Sequence, residues 1–234
     1  MSQQDILLKI FEFAILVFSL SLHEASHAWM ASRLGDPTAR MLGRVTLNPI
    51  KHIDPVGTIL IPLVMLFLGS YGRFLIGWAK PTPVTLRNFK NVRRDDILTT
   101  LAGPGSNLLA AIVALIVLVI LTKTSTAGAG AVHQIVAYGI SSEMMASTPT
   151  LFAMAIIFYL GMVLNLFLAV FNLLPLPPLD GSHIFRYMLP YNAQRYYDSM
   201  GMISLIIMLF LGAPVVMFFV RPALGIMDAI LLWI

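Results

Sequence analysis

Two histidines and a glutamate lie close together after the first apolar stretch of the chain, in the sequence His23-Glu24-Ala25-Ser26-His27. A spacing of four residues is about one turn of an α-helix, so both imidazoles would point to the same face. Two imidazole nitrogens on one face can bind Zn²⁺, and a glutamate beside them can take a proton from water that the metal activates. This HExxH pattern predicts a metallopeptidase site, with His23 and His27 as ligands and Glu24 as the catalytic base.

Catalytic zinc sites usually have three protein ligands, so the motif needs one more. Because the chain has no cysteine, thiolate ligands, disulfides and cysteine nucleophiles are excluded. The remaining candidates are carboxylates and imidazoles, namely Asp180, His183, His52 and Asp54. Asp180 follows a helix that prolines interrupt, although an aspartate before a glycine is also common in turns.

The elements that position these residues are predicted to be membrane helices. The chain is 58% hydrophobic and only 11% charged, which is typical of a membrane protein. Apolar runs near the roughly 20 residues that cross a bilayer occur at 6–22, 97–121, 151–174 and 202–220. We interpret the first as a retained span rather than a signal peptide, because acidic residues stand in its early part and no cleavage site follows.

A shorter apolar run at 58–68 contains Pro62 and predicts a re-entrant segment rather than a span. With this topology most Lys and Arg residues fall on one side of the membrane, which the positive-inside rule makes cytoplasmic. The loop at 122–149 then faces outward, as does the amino terminus. Both the end of the HExxH helix and Asp180 lie on the cytoplasmic side, so the two can meet.

Residues 44–48 and 84–87 alternate apolar and polar side chains between Gly and Pro, which favours two short strands. An unwound substrate could add to such a strand. The predicted fold is therefore an all-α polytopic membrane protein. It has a three-helix catalytic core, a short re-entrant segment and a small surface β-element, in a single domain over 1–234 with its core at 5–181 and a C-terminal helical region at 199–234.

Three motifs together resemble the site-2 protease family of intramembrane zinc metalloproteases. They are the HExxH motif, the segment Ala102-Gly103-Pro104-Gly105-Ser106-Asn107, and Asn172-x-x-Pro175 followed by Leu179-Asp180-Gly181. Residues 43–49, Gly-Arg-Val-Thr-Leu-Asn-Pro, also resemble the compact members, which lack PDZ and CBS domains.

The resemblance implies one Zn²⁺ per chain, with Asp180 as third ligand, and substrates that are transmembrane proteins. It also implies that Asn172 supports the substrate backbone or the transition state, the alternative being a helix-packing hydrogen bond. Asn107 is expected to start a helix or to pack, with a role around the ligands also open. His52 and Asp54 could order the surface segment, support the ligands or control water entry.

Other function classes are less well supported by the sequence. The net charge of +4 has no basic run interleaved with aromatic residues, so nucleic acid is not an expected partner. A metal transporter or an inactive substrate-binding relative would share the ligands but would not need Glu24. A rhomboid-like serine protease is disfavoured because Ser106 has no evident histidine partner. The predicted location is a prokaryotic plasma membrane; the oligomeric state is not predicted.

Overall fold

The computed structural model of the chain describes residues 3–67, 77–139, 149–201, 204 and 213–234, and the regular elements within these ranges are helices. The α-helices are α1 (Gln3–Leu34), α2 (Thr38–Met41), α3 (Ile61–Phe67), α4 (Val92–Thr124), α5 (Thr126–Tyr138), α6 (Pro149–Asn172), α7 (Asp180–Arg186), α8 (Tyr191–Ser199) and α9 (Ala213–Trp233). Two 3₁₀ turns occur at Pro49–Lys51 and Leu86–Asn88, and a π-helix occurs at Pro55–Leu60.

Four of these helices are long and apolar enough to cross a membrane: Ile6–Leu34, Val92–Thr124, Thr150–Asn172 and Pro214–Trp233. The first three confirm the predicted spans, and α1 continues through the HExxH motif to Leu34 as expected. The run at 58–68 is divided between the π-helix and α3, and Leu68 lies outside the described residues. Neither piece is long enough to be a candidate span.

The fourth candidate span, Pro214–Trp233, begins inside the predicted run at 202–220 and continues past its end. The prediction ended at Val220 because Arg221 and Pro222 interrupt the apolar run, whereas α9 continues to Trp233. A proline is tolerated in a membrane helix when neighbouring groups satisfy the freed backbone. Asp228, in the second half of α9, accepts a hydrogen bond from the Tyr159 hydroxyl at 3.2 Å. Residues 202, 203 and 205–212 lie outside the described residues.

The two predicted strands are wrong, since neither 44–48 nor 84–87 forms a strand and the second runs into a 3₁₀ turn. Local hydrogen bonds explain the first case. The Thr46 hydroxyl accepts from the Asn48 amide at 3.1 Å, and the Asn48 side chain accepts from Ile50 at 3.1 Å. Such contacts offer the backbone an alternative to pairing with another strand.

The expected outward loop at 122–149 also contains a helix. Ser125 caps the start of α5 by accepting a hydrogen bond from Gly128. Val132 and Ile135 of α5 are buried against Phe152 of α6, in a cluster that α4 completes. His133, also on α5, contacts the Leu231 carbonyl of α9 through Nε2 at 3.1 Å.

Helices α1, α4 and α6 pack against one another and carry the side chains of the site described below. Leu16 and Leu20 of α1 are buried with Leu164 and Leu168 of α6. Lipid is as apolar as these side chains, so moving them from lipid to a helix interface gives no hydrophobic driving force. The contacts between the helices stabilise the bundle through van der Waals packing instead.

Asp36 joins the end of α1 to a distant loop. Gly35, with φ of +114°, ends the helix in a conformation that glycine adopts most easily. The Asp36 carboxylate is fully buried and accepts hydrogen bonds from Thr38, from the Thr85 amide at 2.7 Å and from Asn88 at 2.7 Å. These bonds fix the 82–88 loop beside the HExxH helix.

Candidate metal centre

Two chain segments far apart in sequence bring three side chains to one point. His23 and His27 lie on adjacent turns of α1, and Asp180 is the first residue of α7. The chain reverses between α6 and α7, and Gly181 permits this reversal. A Cβ at Gly181 would lie 2.2 Å from the Leu173 carbonyl oxygen, so the turn tolerates no larger side chain.

The facing atoms are close enough to share one ion. His23 Nε2 lies 3.0 Å from Asp180 Oδ2, His27 Nε2 lies 3.3 Å from it, and the two Nε2 atoms are 3.0 Å apart. Two ligands bound 2.0–2.1 Å from a tetrahedral Zn²⁺ are about 3.3 Å apart. The spacing of the three atoms therefore suits a single zinc ion.

Hydrogen bonds on the far side of each ring determine which nitrogens carry protons. His27 Nδ1 lies 2.7 Å from the Thr99 carbonyl, which can only accept, so Nδ1 must donate. His23 Nδ1 lies 2.6 Å from the side-chain oxygen of Asn107 and donates in the same way. A neutral ring that donates from Nδ1 presents a lone pair at Nε2, the form that binds metal.

Three lone-pair donors thus face one another, because Asp180 Oδ2 is also buried without a hydrogen-bond partner. Without a cation this arrangement would be repulsive, and a buried unpartnered oxygen is costly. His23 and His27 are each less than a tenth exposed, so little water is available to compensate. The donor set fits a borderline-soft cation such as Zn²⁺.

Helix α4 closes the site from a second side. A Cβ at Gly103 would lie 2.3 Å from His27 Nε2 and 2.7 Å from His23 Cε1, so only glycine allows this approach. Pro104 lies inside the helix and has no N–H to donate to the Thr100 carbonyl. The helix ladder is therefore interrupted next to Thr99, whose carbonyl holds His27.

Residues 11–213 match the model of Peptidase family M50. The chain belongs to this family. The resemblance to site-2 proteases is thereby confirmed, and M50 membership makes the chain one of a family of zinc metalloproteases.

Several bacterial members of M50 are similar to this chain. It is 43% identical to "Putative zinc metalloprotease YwhC" of Bacillus subtilis (strain 168) over 175 residues, which are 75% of this chain and 67% of that protein. It is 32% identical to "Putative zinc metalloprotease Rip2" of Mycolicibacterium smegmatis, over 70% of this chain and 52% of that protein. It is 29% identical to "Putative zinc metalloprotease Rip2" of Mycobacterium tuberculosis, over 70% of this chain and 51% of that protein. The chain therefore spans about half the length of the Rip2 relatives. No solved structure matches it significantly.

The glutamate of the M50 motif contacts the loop that Asp36 fixes. Glu24 Oε2 accepts a hydrogen bond from the Thr82 amide at 2.7 Å, and the Thr82 hydroxyl donates to the Glu24 carbonyl at 3.0 Å. A backbone N–H on one carboxylate oxygen orients the group and leaves the other oxygen for a second partner.

The rival ligands are held elsewhere in the described part of the chain. His183 Nδ1 faces Asp96 Oδ2 at 3.8 Å, and the His183 side chain is 58% exposed. Contact with Asp96 raises the pKa of His183 despite the opposite effect of burial. The Tyr187 hydroxyl donates to the same Asp96 oxygen at 2.8 Å; burial, aided by this bond, raises the pKa of Tyr187 to about 12.

His52 and Asp54 make their hydrogen bonds within the surface segment, which favours the first of the three roles considered for them. His52 is 1% exposed and its Nε2 donates to the Thr46 carbonyl at 2.8 Å. Asp54 caps the π-helix by accepting from the amides of Val56 and Gly57.

The two asparagines of the predicted site differ in their contacts. Asn172 donates to the Leu168 carbonyl of its own helix at 3.0 Å. Asn107 does not start a helix, because α4 begins at Val92; it is fully buried and holds His23. Its role around the ligands, one of the options considered, is the one that its contacts favour.

Sequence reasoning missed Asn165, Thr99 and Thr82. Asn165 is buried in α6 and accepts a hydrogen bond from Asn107 at 2.8 Å. The sequence did contain a signal for Asn165, because an amide within an apolar span usually bonds to a neighbouring helix. Thr99 and Thr82 act through backbone groups, which residue type does not reveal.

Proposed function

We propose that this M50 member hydrolyses peptide bonds within or next to the transmembrane segments of membrane proteins. One Zn²⁺ per chain would be held by His23, His27 and Asp180, and Glu24 would be the general base. The observation that supports this most directly is the convergence of three potential ligand atoms at separations of 3.0, 3.0 and 3.3 Å.

Zinc, when bound here, polarises the scissile carbonyl and makes water acidic enough to lose a proton near neutral pH. Glu24 takes that proton on the carboxylate oxygen that Thr82 leaves free, and then delivers it to the departing amine. One side-chain N–H of Asn172 donates to the Leu168 carbonyl, and the second is left for the substrate. This second N–H stabilises the oxygen of the substrate carbonyl as negative charge develops.

The substrate class follows from the position of the site among membrane helices. His23 and His27 lie within the candidate span Ile6–Leu34, so a bond reaches them only from a segment that enters the membrane region. A transmembrane helix has its carbonyls in internal hydrogen bonds, so it must unwind locally before hydrolysis.

Charge distribution supports an active site toward the cytoplasm of a bacterial plasma membrane. Arg33, Arg40 and Arg44 follow the motif, and Arg93 and Arg94 stand at the start of α4, whereas Lys123 is the one Lys or Arg between 122 and 149. The positive-inside rule assigns the basic side to the cytoplasm. Helices α1, α4 and α6 then form the catalytic core, and the helix pair at 55–67 re-enters from that side.

Glu24→Gln tests the proposal, because it removes the base but keeps the size of the side chain. We expect wild-type protein, co-expressed with a library of tagged single-span proteins, to release fragments that Glu24→Gln does not release, while both retain zinc. Glu12→Gln is a matched control on the same helix, since Glu12 pairs with Lys9 at 2.8 Å and stands three turns before Glu24.

Zinc content tests the ligand set separately. Asp180→Ala should lower zinc occupancy at least tenfold, because a missing ligand costs metal affinity directly. Fragments that persist in Glu24→Gln would contradict catalysis at this site. Transport of zinc by Glu24→Gln without any hydrolysis by the wild type would instead support a transporter.

A further inference from the structure

A chain of hydrogen bonds leads from His23 through two buried amides to the backbone of α6. His23 Nδ1 donates to Asn107 Oδ1 at 2.6 Å, Asn107 Nδ2 donates to Asn165 Oδ1 at 2.8 Å, and Asn165 Nδ2 donates to the Gly161 carbonyl at 2.8 Å. Ser19 of α1 accepts from both amides, at 3.3 Å through its carbonyl and at 2.9 Å through its hydroxyl. The network joins α1, α4 and α6.

Backbone carbonyls determine the direction of every bond in this network. The Gly161 carbonyl can only accept, so the nitrogen of Asn165 points to it and the oxygen of Asn165 points to Asn107. Asn107 must then present its nitrogen to Asn165, which leaves its oxygen for His23. His23 is thereby required to carry its proton on Nδ1 and to keep a lone pair on Nε2.

Burial makes this requirement strict. Asn107 and Ser19 are fully buried and Asn165 is 5% exposed, so water does not substitute for a lost bond. An amide that is flipped would bring nitrogen to nitrogen or oxygen to oxygen, and each buried group left without a partner destabilises that orientation.

We propose that Asn165 is a positioning residue of the zinc site, which acts through Asn107 to hold His23 in the tautomer and orientation that bind metal. The proposal rests on the proposed function, because it assumes zinc at His23. Asn165 does not touch the ligands: one side chain separates it from His23. Its removal leaves the Asn107 nitrogen held only by the longer 3.3 Å bond to the Ser19 carbonyl. The amide is then less firmly oriented, and the His23 proton can move to Nε2, where it blocks metal binding.

Zinc affinity, measured by competition with a chromogenic chelator, tests the idea without any need for a substrate. Asn107→Leu should lower the affinity about 10- to 100-fold, as the loss of a group that holds a ligand does. Asn107→Asp should lose less affinity than Asn107→Leu, because a carboxylate still accepts from His23 Nδ1 although its second oxygen no longer donates to Asn165. Asn165→Leu should lower the affinity less, about 3- to 10-fold, because Asn165 acts on His23 only through Asn107.

A double variant separates positioning from packing. If Asn165 acts through Asn107, then Asn165→Leu should have no further effect on zinc affinity in the Asn107→Leu background, whereas independent packing effects would add. The visible spectrum of the Co²⁺-substituted protein should change in Asn165→Leu in the same direction as in Asn107→Leu.

Two further variants guard against misfolding. Asn165→Ser keeps a hydroxyl for the Gly161 carbonyl but is too short to reach Asn107, and it should reproduce the loss of Asn165→Leu. Thr122→Val is the control, because the buried Thr122 hydroxyl bonds only to Leu118 of its own helix, and this variant should bind zinc as wild type does.

Unchanged zinc affinity in both Asn165 variants, or an equal loss in the two backgrounds, would overturn the positioning role. Failure of the proposed function would look different, since wild-type protein itself would then bind no zinc tightly or would release no Glu24-dependent fragments.

Discussion

Replacing Gly103 by alanine should disrupt the metal site through a single added methyl group. The new Cβ would lie 2.3 Å from His27 Nε2 and 2.5 Å from His27 Cε1, whereas ordinary contact begins at 3.4 Å. The ring, or the whole helix α4, must therefore move by about 1 Å. Metal ligands tolerate displacements of only about 0.2 Å, so the site would not keep its geometry.

The imidazoles have little freedom to retreat. His27 is held at Nδ1 by the Thr99 carbonyl of α4, the same helix that would carry the added methyl group, and His23 is held by Asn107 of that helix. We expect zinc affinity to fall at least 10- to 100-fold, which corresponds to about 1.4–2.7 kcal/mol, and proteolysis to be lost with it.

Gly105→Ala provides a matched control two residues along the same helix. A Cβ at Gly105 has no heavy atom within 4 Å. Alanine is also the better helix former by about 1 kcal/mol, so this variant should be as stable as wild type or more stable. Zinc competition and thermal unfolding in detergent would measure both variants. The reasoning is refuted if folded Gly103→Ala binds zinc as tightly as Gly105→Ala.

Two other predictions concern residues around the site. Burial alone would raise the pKa of Asp36, but hydrogen bonds from Thr38, Thr85 and Asn88 hold it below its usual value. This stabilisation is therefore present at neutral pH and is lost as the pH falls below about 3.9 and through the lower folded pKa. Asp36→Ala should lower the free energy of unfolding by about 2–4 kcal/mol and remove this pH dependence. The control is Asp198→Ala, at an exposed residue, which should change the free energy of unfolding by under about 1 kcal/mol. Equal losses of the two variants in thermal unfolding would contradict the role of Asp36. His183→Gln should keep zinc within about twofold of wild type, since His183 faces Asp96 rather than the ligand cluster, and a zinc loss like that of Asp180→Ala would make His183 a ligand.

The convergence of His23, His27 and Asp180 was predictable, because the position of each side chain follows from simple geometry or from the family pattern. Helical periodicity places His23 and His27 on one face, and the membrane topology brings Asp180 to the same side. What the sequence could not provide was the set of groups behind the ligands. The Thr99 carbonyl of α4 holds His27, and such backbone groups depend on packing rather than on residue type.

Hydropathy located the spans but not their ends. Residues 126–138 are rich in Gly and Ala and contain no long apolar run, yet they form α5 because Ser125 caps the helix and α4 and α6 bury one face. The end of α9 was missed because Arg221 and Pro222 lower the local hydropathy without stopping a helix in the membrane.

The strand predictions failed for a different reason. Alternation over four or five residues is equally compatible with an irregular loop, and the decision depends on whether a partner strand is available. Around 44–48 the backbone is held by side chains instead: Arg44 donates to the Lys51 carbonyl, and His52 donates to the Thr46 carbonyl.

The separation of Asp180 from the HExxH helix has a consequence for biosynthesis. The ribosome adds about 150 residues between His27 and Asp180, which takes about 8–30 s at ordinary rates of translation. During that interval the nascent chain carries two imidazoles without their carboxylate, and α4 has yet to dock against them. A site assembled in this order has no complete set of ligands until α1, α4 and α6 have all been synthesised.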